Sequence, residues 1–269
     1  METWPEPLVS GFVFTFGLIL GSFLNVCIHR LPLGESLVRP GSRCPACGTP
    51  IRWYQNLPVL SWLALRGRCS ACSSSVSWRY PAVELLCGLL ILFLWRILGA
   101  SAGFLVTVPF AMGLVVLFFT DLEHQLLPDM VTLPGFLLGM ALAWFNPFLG
   151  DGDWSRVWRS GAGAALGAGA LWGIGTLYSR LRVVEAMGMG DVKMMAMVGA
   201  FAGPQGVAFT IFAGSLAGAV VGVLLIPLRG RTLRDTLPFG CFLAPSAFAA
   251  LLIGRRVIHA YLGLLGGGH

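Results

Sequence analysis

The sequence predicts an all-α polytopic membrane protein of about eight transmembrane helices with a small cytosolic zinc-ribbon-like insert. Three observations predict it. The 269 residues are 56% hydrophobic and only 11% charged, where a soluble domain carries about 25% charged residues. Apolar runs of spanning length recur from one end of the chain to the other. Four of the seven cysteines fall as two CxxC pairs in the one long polar stretch. Lipid leaves backbone polar groups no partners except within helices or closed barrels. A barrel would show short alternating segments, and these runs do not alternate. The net charge of +6 does not point to nucleic acid, because the basic residues gather in short segments between spans.

Eight spans are expected near residues 8–28, 82–98, 104–120, 130–145, 157–178, 192–203, 207–228 and 239–253. The sixth is short for the ~20 residues of a straight crossing, so a tilted course, a partly re-entrant one or turns borrowed from its flanks are expected there. Residues 1–7 hold Glu2 and Glu6 and no basic residue, unlike the basic start of a secretory signal. The first run is therefore read as a retained span that begins outside the cell. Arg30, Arg39, Arg43, Arg52, Arg66, Arg68, Arg79, Arg180, Arg182, Lys193, Arg229, Arg231 and Arg234 then fall inside. Arg96, Arg156, Arg159, Arg255 and Arg256 fall outside. This bias favours both termini outside. The small residues clustered at 161–167 and 214–222 are expected to let helices approach closely.

Residues 29–81 form the cytosolic insert. Cys44-Pro-Ala-Cys47 and Cys69-Ser-Ala-Cys72 have the spacing of two knuckles whose four thiolates close a tetrahedron around a structural zinc ion. Two redox or disulfide pairs are the alternative, and a reducing cytosol argues against structural disulfides. Four cysteines leave no open position for metal catalysis. Cys27, Cys87 and Cys241 lie in apolar runs and read as small hydrophobes.

Among the 12 acidic residues, Asp121, Asp191 and Glu84 stand out. A charged side chain at the bilayer centre costs ~2.5–3.5 kcal/mol on insertion scales, so it is functional by default. Asp121 closes the third span and Asp191 opens the sixth, so the topology brings both to the cytoplasmic face. A close aspartate pair does not ionise twice readily; one keeps a proton while the other activates water against a peptide carbonyl. Other readings stay open on the residues alone. Asp191 fits a helix N-cap, Asp121 can rest in interfacial water, and Glu84 can pair with a loop arginine. Asp129 is read as the N-cap of the fourth span and His124 as a juxtamembrane residue. Lys193 is expected to reach headgroups or substrate.

The runs Asp121-Leu-Glu-His-Gln-Leu-Leu-Pro-Asp129 and Gly188-Met-Gly190-Asp191-Val-Lys193 resemble the two active-site motifs of bifunctional type IV prepilin peptidases. The second is the GxGD signature of an intramembrane aspartyl protease group. The resemblance extends to Gly21-Ser-Phe-Leu-Asn25-Val-Cys-Ile-His-Arg30-Leu-Pro32, to the cysteine-bearing insert, to Ser77-Trp-Arg79-Tyr-Pro-Ala-Val-Glu84-Leu-Leu86 and to Leu237-Pro-Phe-Gly-Cys-Phe-Leu243. Two positions depart from the pattern: Cys241 stands where proline is common, and Ser73 where glycine is usual. Neither is expected to touch a carboxylate or a thiolate.

The resemblance implies a bacterial inner-membrane enzyme with Asp121 and Asp191 as catalytic pair, supported by Gly188, Gly190 and Lys193. Its substrates would be type IV prepilins and related pseudopilins. It also implies methylation of the new N-terminus with S-adenosylmethionine, Asn25, Arg30, Arg79 and Glu84 being candidates for that site. Residues 1–98 would form the methyltransferase-like region and 99–269 the peptidase region. A peptidase without methylation, a carboxylate-lined transporter and a non-catalytic zinc-ribbon scaffold are the competing readings. A transporter usually shows internal repeats, and none is evident.

Overall fold

The computed structural model describes residues 5–182, 188–229 and 238–266. Glu2, Arg231, Arg234 and Leu237, which entered the charge and motif readings, lie outside these residues. Among those described, the chain is helical, with two isolated β-bridges and no named strand. Among the described residues, five helices are long and apolar enough to cross a membrane. The chain forms two compact units, Met1–Phe104 and Leu105–His269.

The first unit is built on α1 (Glu6–Arg30) and α3 (Arg79–Leu98). They pack through glycine. A methyl group on Gly17 would lie 2.7 Å from the Gly88 Cα, and one on Gly21 would lie 2.7 Å from the Glu84 Cα. This close approach buries Ile28, Val83, Cys87 and Leu94. At the far end Glu6 accepts a hydrogen bond from Arg96 at 2.6 Å. The insert between α1 and α3 holds a short helix, α2 (Leu60–Ala64). Between positions 31 and 78, only Cys44 and Gly67 are buried, so the insert has almost no hydrophobic core of its own.

The second unit contains α4 (Ala102–His124), α5 (Asp129–Leu142), α6 (Asp153–Arg182), α7 (Met189–Arg229), α8 (Gly240–Ala249) and α9 (Arg255–Gly266). A π-helical segment, Ala250–Gly254, joins the last two. The expected sixth and seventh spans both lie in α7, which leaves helical geometry at Gly203 (φ 69°, ψ −176°). The chain reverses there. Past the break, Gly218 lies against Phe242, Gly214 against Leu243 and Phe209 against Gly254. The second half of α7 therefore runs antiparallel to α8 and returns toward the end where α7 began. The first half is the short span anticipated from its length.

The glycine cluster of α6 has the packing role expected of it. A methyl on Gly163 or Gly167 would overlap the backbone carbonyl of Gly199 or Met195. Glycine dilutes the apolarity of α6, which is long but not among the five strongly apolar helices. Asp129–Phe145, the expected fourth span, is apolar but shorter.

Candidate functional site

Asp121 sits in the last turn of α4 and is only 5% exposed. The chain then turns at Gln125, whose φ is 51°, and Leu127 folds back beneath the helix ends. Leu127 is the shared neighbour of the site. A methyl on Gly190 would meet the Leu127 Cβ at 3.0 Å, and one on Gly240 would meet its Cδ2 at 3.1 Å. The same Gly240 methyl would lie 2.9 Å from the Asp121 Oδ2. Gly190 precedes Asp191, in the first turn of α7, where its N–H donates to the Gly188 carbonyl at 3.2 Å. Asp191 is half-buried. The segments that carry the two aspartates, 70 positions apart in the chain, thus pack on one leucine: Gly190, which precedes Asp191, and Gly240, which lies beside Asp121.

Three expectations change here. Asp129 does not cap α5 with its side chain: Pro128 holds the N-cap position and no side-chain cap bond forms. The Asp129 carboxylate instead accepts two hydrogen bonds from the Lys193 Nζ, at 2.8 and 2.6 Å. Lys193 therefore spans to the start of α5, joining the run at 121–129 to the run at 188–193. The pair is partly exposed, and such pairs contribute about 0–1 kcal/mol. Asp129→Ala and Lys193→Ala are each expected to lower the unfolding midpoint only slightly, the double variant doing no more than either. A thermal melt of the three proteins checks this.

The third change concerns Cys241, whose backbone N–H donates to the Asp121 Oδ2 at 2.9 Å. A departure expected to leave the carboxylates untouched is thus a direct contact. Proline has no N–H to donate, yet it is tolerated in the first turn of a helix, where Cys241 lies. Cys241→Pro is expected to slow the peptide cleavage that the resemblance implies about tenfold, the scale of one hydrogen bond to a charged group. Cys241→Ala, which keeps the N–H, should cleave at the parent rate. Initial rates of the two variants decide it. The motif at 237–243 carried the signal that this segment matters; that its backbone serves Asp121 was not legible from side-chain types.

The insert brings its four cysteines together. The sulfur atoms of Cys44, Cys47, Cys69 and Cys72 all lie within 4.8 Å of one another, and Cys44 and Cys72 are 3.9 Å apart. A tetrahedron with Zn–S bonds of ~2.3 Å has sulfurs ~3.8 Å apart, so the donor set fits a tetrahedral metal ion. The two knuckles repeat one another. Cys44 N–H donates to the Thr49 carbonyl at 3.0 Å and Cys69 N–H to Ser74 at 2.8 Å; bridges join Arg43 to Pro50 and Arg68 to Ser75. Gly48 (φ 70°) and Ser73 (φ 58°) share the left-handed conformation, which explains why glycine is the usual choice at the second position. The backbone N–H of Cys47 and the Ser74 hydroxyl pull the Cys44 thiol down to about 6. Hydrogen bonds from Ser74 lower Cys72 as well. Both shifts favour thiolates, the form that binds metal.

The methyl-transfer candidates lie where α1, α3 and the insert join. Arg30 donates to the carbonyls of Ser36 at 2.9 Å and Pro40 at 2.8 Å, pinning the start of the insert. Glu84 accepts the Val59 N–H at 2.7 Å, rather than pairing with a loop arginine in any ion pair among the described residues. Val59 has φ 61°, unusual for a β-branched residue, and the carboxylate holds it there. Arg79 lies over the Tyr80 ring at 4.9 Å. Asn25 donates to the Tyr80 carbonyl at 3.0 Å, while its buried Oδ1 has no hydrogen-bond partner among the described residues. His124 stands 4.0 Å from Glu123.

Comparisons with known proteins cover most of the chain. Residues 15–97 match the bacterial peptidase A24 N-terminal domain, and residues 108–223 match the type IV leader peptidase family. A prepilin leader peptidase/N-methyltransferase of Pseudomonas putida is 38% identical over 93% of this chain and 92% of its own length. The protein of that name from Stutzerimonas stutzeri is 39% identical over 91% of each chain. That from Myxococcus xanthus is 42% identical over 84% of this chain and 65% of its own. No solved structure matches the chain.

Proposed function

The chain belongs to the family of prepilin leader peptidase/N-methyltransferases, and we propose that it cuts the leader from type IV prepilins and pseudopilins with Asp121 and Asp191. The observation that supports the assignment of residues is that Gly190, next to Asp191, and Gly240, beside Asp121, pack on the same Leu127. One carboxyl keeps its proton while the other accepts a proton from water. The water oxygen attacks the peptide carbonyl carbon, and the protonated carboxyl donates to the carbonyl oxygen. Collapse of the tetrahedral intermediate breaks the C–N bond, and the leaving amine takes a proton. The Cys241 N–H holds the Asp121 Oδ2 in place during these transfers. The distribution of basic residues supports a cytoplasmic position for this site, in an inner membrane with both termini outside.

The new N-terminus is then methylated, and the first unit is the proposed seat of that step. S-adenosylmethionine supplies the methyl group when bound. Glu84, Arg79 and Asn25, whose buried Oδ1 is left without a partner, are the residues proposed to hold it; Arg30 shapes the adjoining loop. Zinc is the proposed occupant of the four-cysteine cluster, with a structural role. Mass spectrometry of one pilin expressed with and without this protein tests the whole reading, because it records leader loss and the added methyl together. A pilin that keeps its leader beside folded protein contradicts it.

The two steps are expected to separate. Glu84→Gln or Arg79→Ala should lower methylation and leave leader removal largely intact. A pre-cleaved pilin offered to the Asp191→Ala protein should still be methylated, since methyl transfer needs a positioned amine and not a protease pair. An unmethylated product, in folded protein that binds S-adenosylmethionine, would overturn the division.

A further inference from the structure

The second unit carries a cationic cavity at the end of its helices opposite the aspartates. It is about 210 Å³ and is lined by Phe148, Leu149, Arg159, Gly203, Gln205 and Arg255, several times the ~30 Å³ share of one water. The sequence does not announce it, because its two arginines come from different helices and its floor is the reversal in α7. Gly150 (φ 107°) brings them together: a methyl there would overlap the Arg159 guanidinium and lie 3.0 Å from the Arg255 Nη1.

These two like charges have no acidic partner among the described residues. Arg159 donates one hydrogen bond, to the Leu149 carbonyl at 3.0 Å. The Arg255 side chain makes no hydrogen bond or ion pair among the described residues. The neighbouring Arg156 is already engaged, by Asp153 at 3.5 Å and by the carbonyls of Gly150 and Trp144. Two guanidiniums this close repel unless an anion lies between them, and the planar fork suits phosphate oxygens. The second half of α7 also starts at this cavity, with Pro204 in its first turn, adding the positive end of a helix.

The surroundings indicate where such an anion comes from. Trp144, Trp154 and Trp158 are exposed at this end of the unit, at 40%, 79% and 76%, and Trp144 and Trp154 pack edge to face at 5.7 Å. Exposed tryptophans at helix ends mark the headgroup level of a bilayer. We propose that Arg159 and Arg255 bind the phosphate of an anionic phospholipid headgroup in this cavity, on the face of the unit remote from catalysis.

The test uses the full chain, stripped of lipid in neutral detergent. It is titrated with short-chain phosphatidylglycerol, short-chain phosphatidylcholine or inorganic phosphate, following the unfolding midpoint and the lipid retained in native mass spectrometry. Phosphatidylglycerol should raise the midpoint and stay bound, and phosphatidylcholine should do neither. Arg255→Gln should weaken phosphatidylglycerol binding about tenfold, the scale of one charge-assisted hydrogen bond. Because Arg255 has no partner within the described fold, this variant should fold and cleave like the parent. The Arg159→Gln/Arg255→Gln protein should lose the response. An equal, arginine-dependent response to inorganic phosphate alone would keep the site and assign it to free phosphate. Equal binding of the two lipids, or parent-like phosphatidylglycerol binding by the double variant, would overturn the proposal.

Discussion

Replacing Asp121 or Asp191 with asparagine is expected to slow leader cleavage by on the order of 10²–10⁴-fold, the usual contribution of a positioned acid–base group. The protein should still insert and fold. Asparagine matches the size of aspartate and can still accept the Cys241 N–H at position 121, so packing around Leu127 is kept. An amide cannot take a proton from water, and that loss alone removes the chemistry. Alanine at either position should be as inactive. The contrast with Asp129→Ala is informative: Asp129 belongs to the same motif, yet its carboxylate is occupied by Lys193. Rates measured on the three variants, alongside their unfolding midpoints, separate the reacting pair from the ion pair that ties α5 to α7.

The second large effect concerns the insert. Cys47→Ser/Cys72→Ser is expected to empty the four-cysteine site and to loosen residues 29–81, leaving the membrane helices assembled. A structural zinc ion stabilises small finger peptides by about 10–16 kcal/mol near pH 7. This insert has little else, since its large apolar side chains Trp53, Leu60, Leu63 and Trp78 are exposed. Metal analysis after reducing, chelator-free purification should find one zinc per parent chain and none in the variant. Limited proteolysis should then cut the variant within the insert. Parent protein without zinc would contradict the assignment.

Composition and motif spacing made the membrane class and the four-cysteine cluster legible, and they picked out Asp121 and Asp191, whose neighbours Gly240 and Gly190 pack on one leucine. Each rests on a strong local rule: costly carboxylates in apolar runs, paired knuckles, and small residues where helices touch. The misread features depend on long-range backbone geometry. Cys241 looks like one apolar residue among others, and only the folded α8 shows its N–H donating to Asp121. Asp129 has the position of a cap, but tertiary pairing with Lys193 outcompetes that local use. The reversal at Gly203 was readable only as a span of awkward length. The buried Gly203 carries no side chain to mark a turn, and the arginines of the cavity beside it are far apart in sequence.

The cleavage rates of Asp121→Asn, Asp191→Asn and the double variant, on one prepilin in proteoliposomes, test the central claim most directly. Residues that act as one catalytic unit are strongly non-additive. The account predicts that each single variant loses nearly all leader cleavage and that the double variant is no slower than either. Robust cleavage by a single variant, or losses that multiply in the double variant, would show that the two carboxylates do not work as a pair.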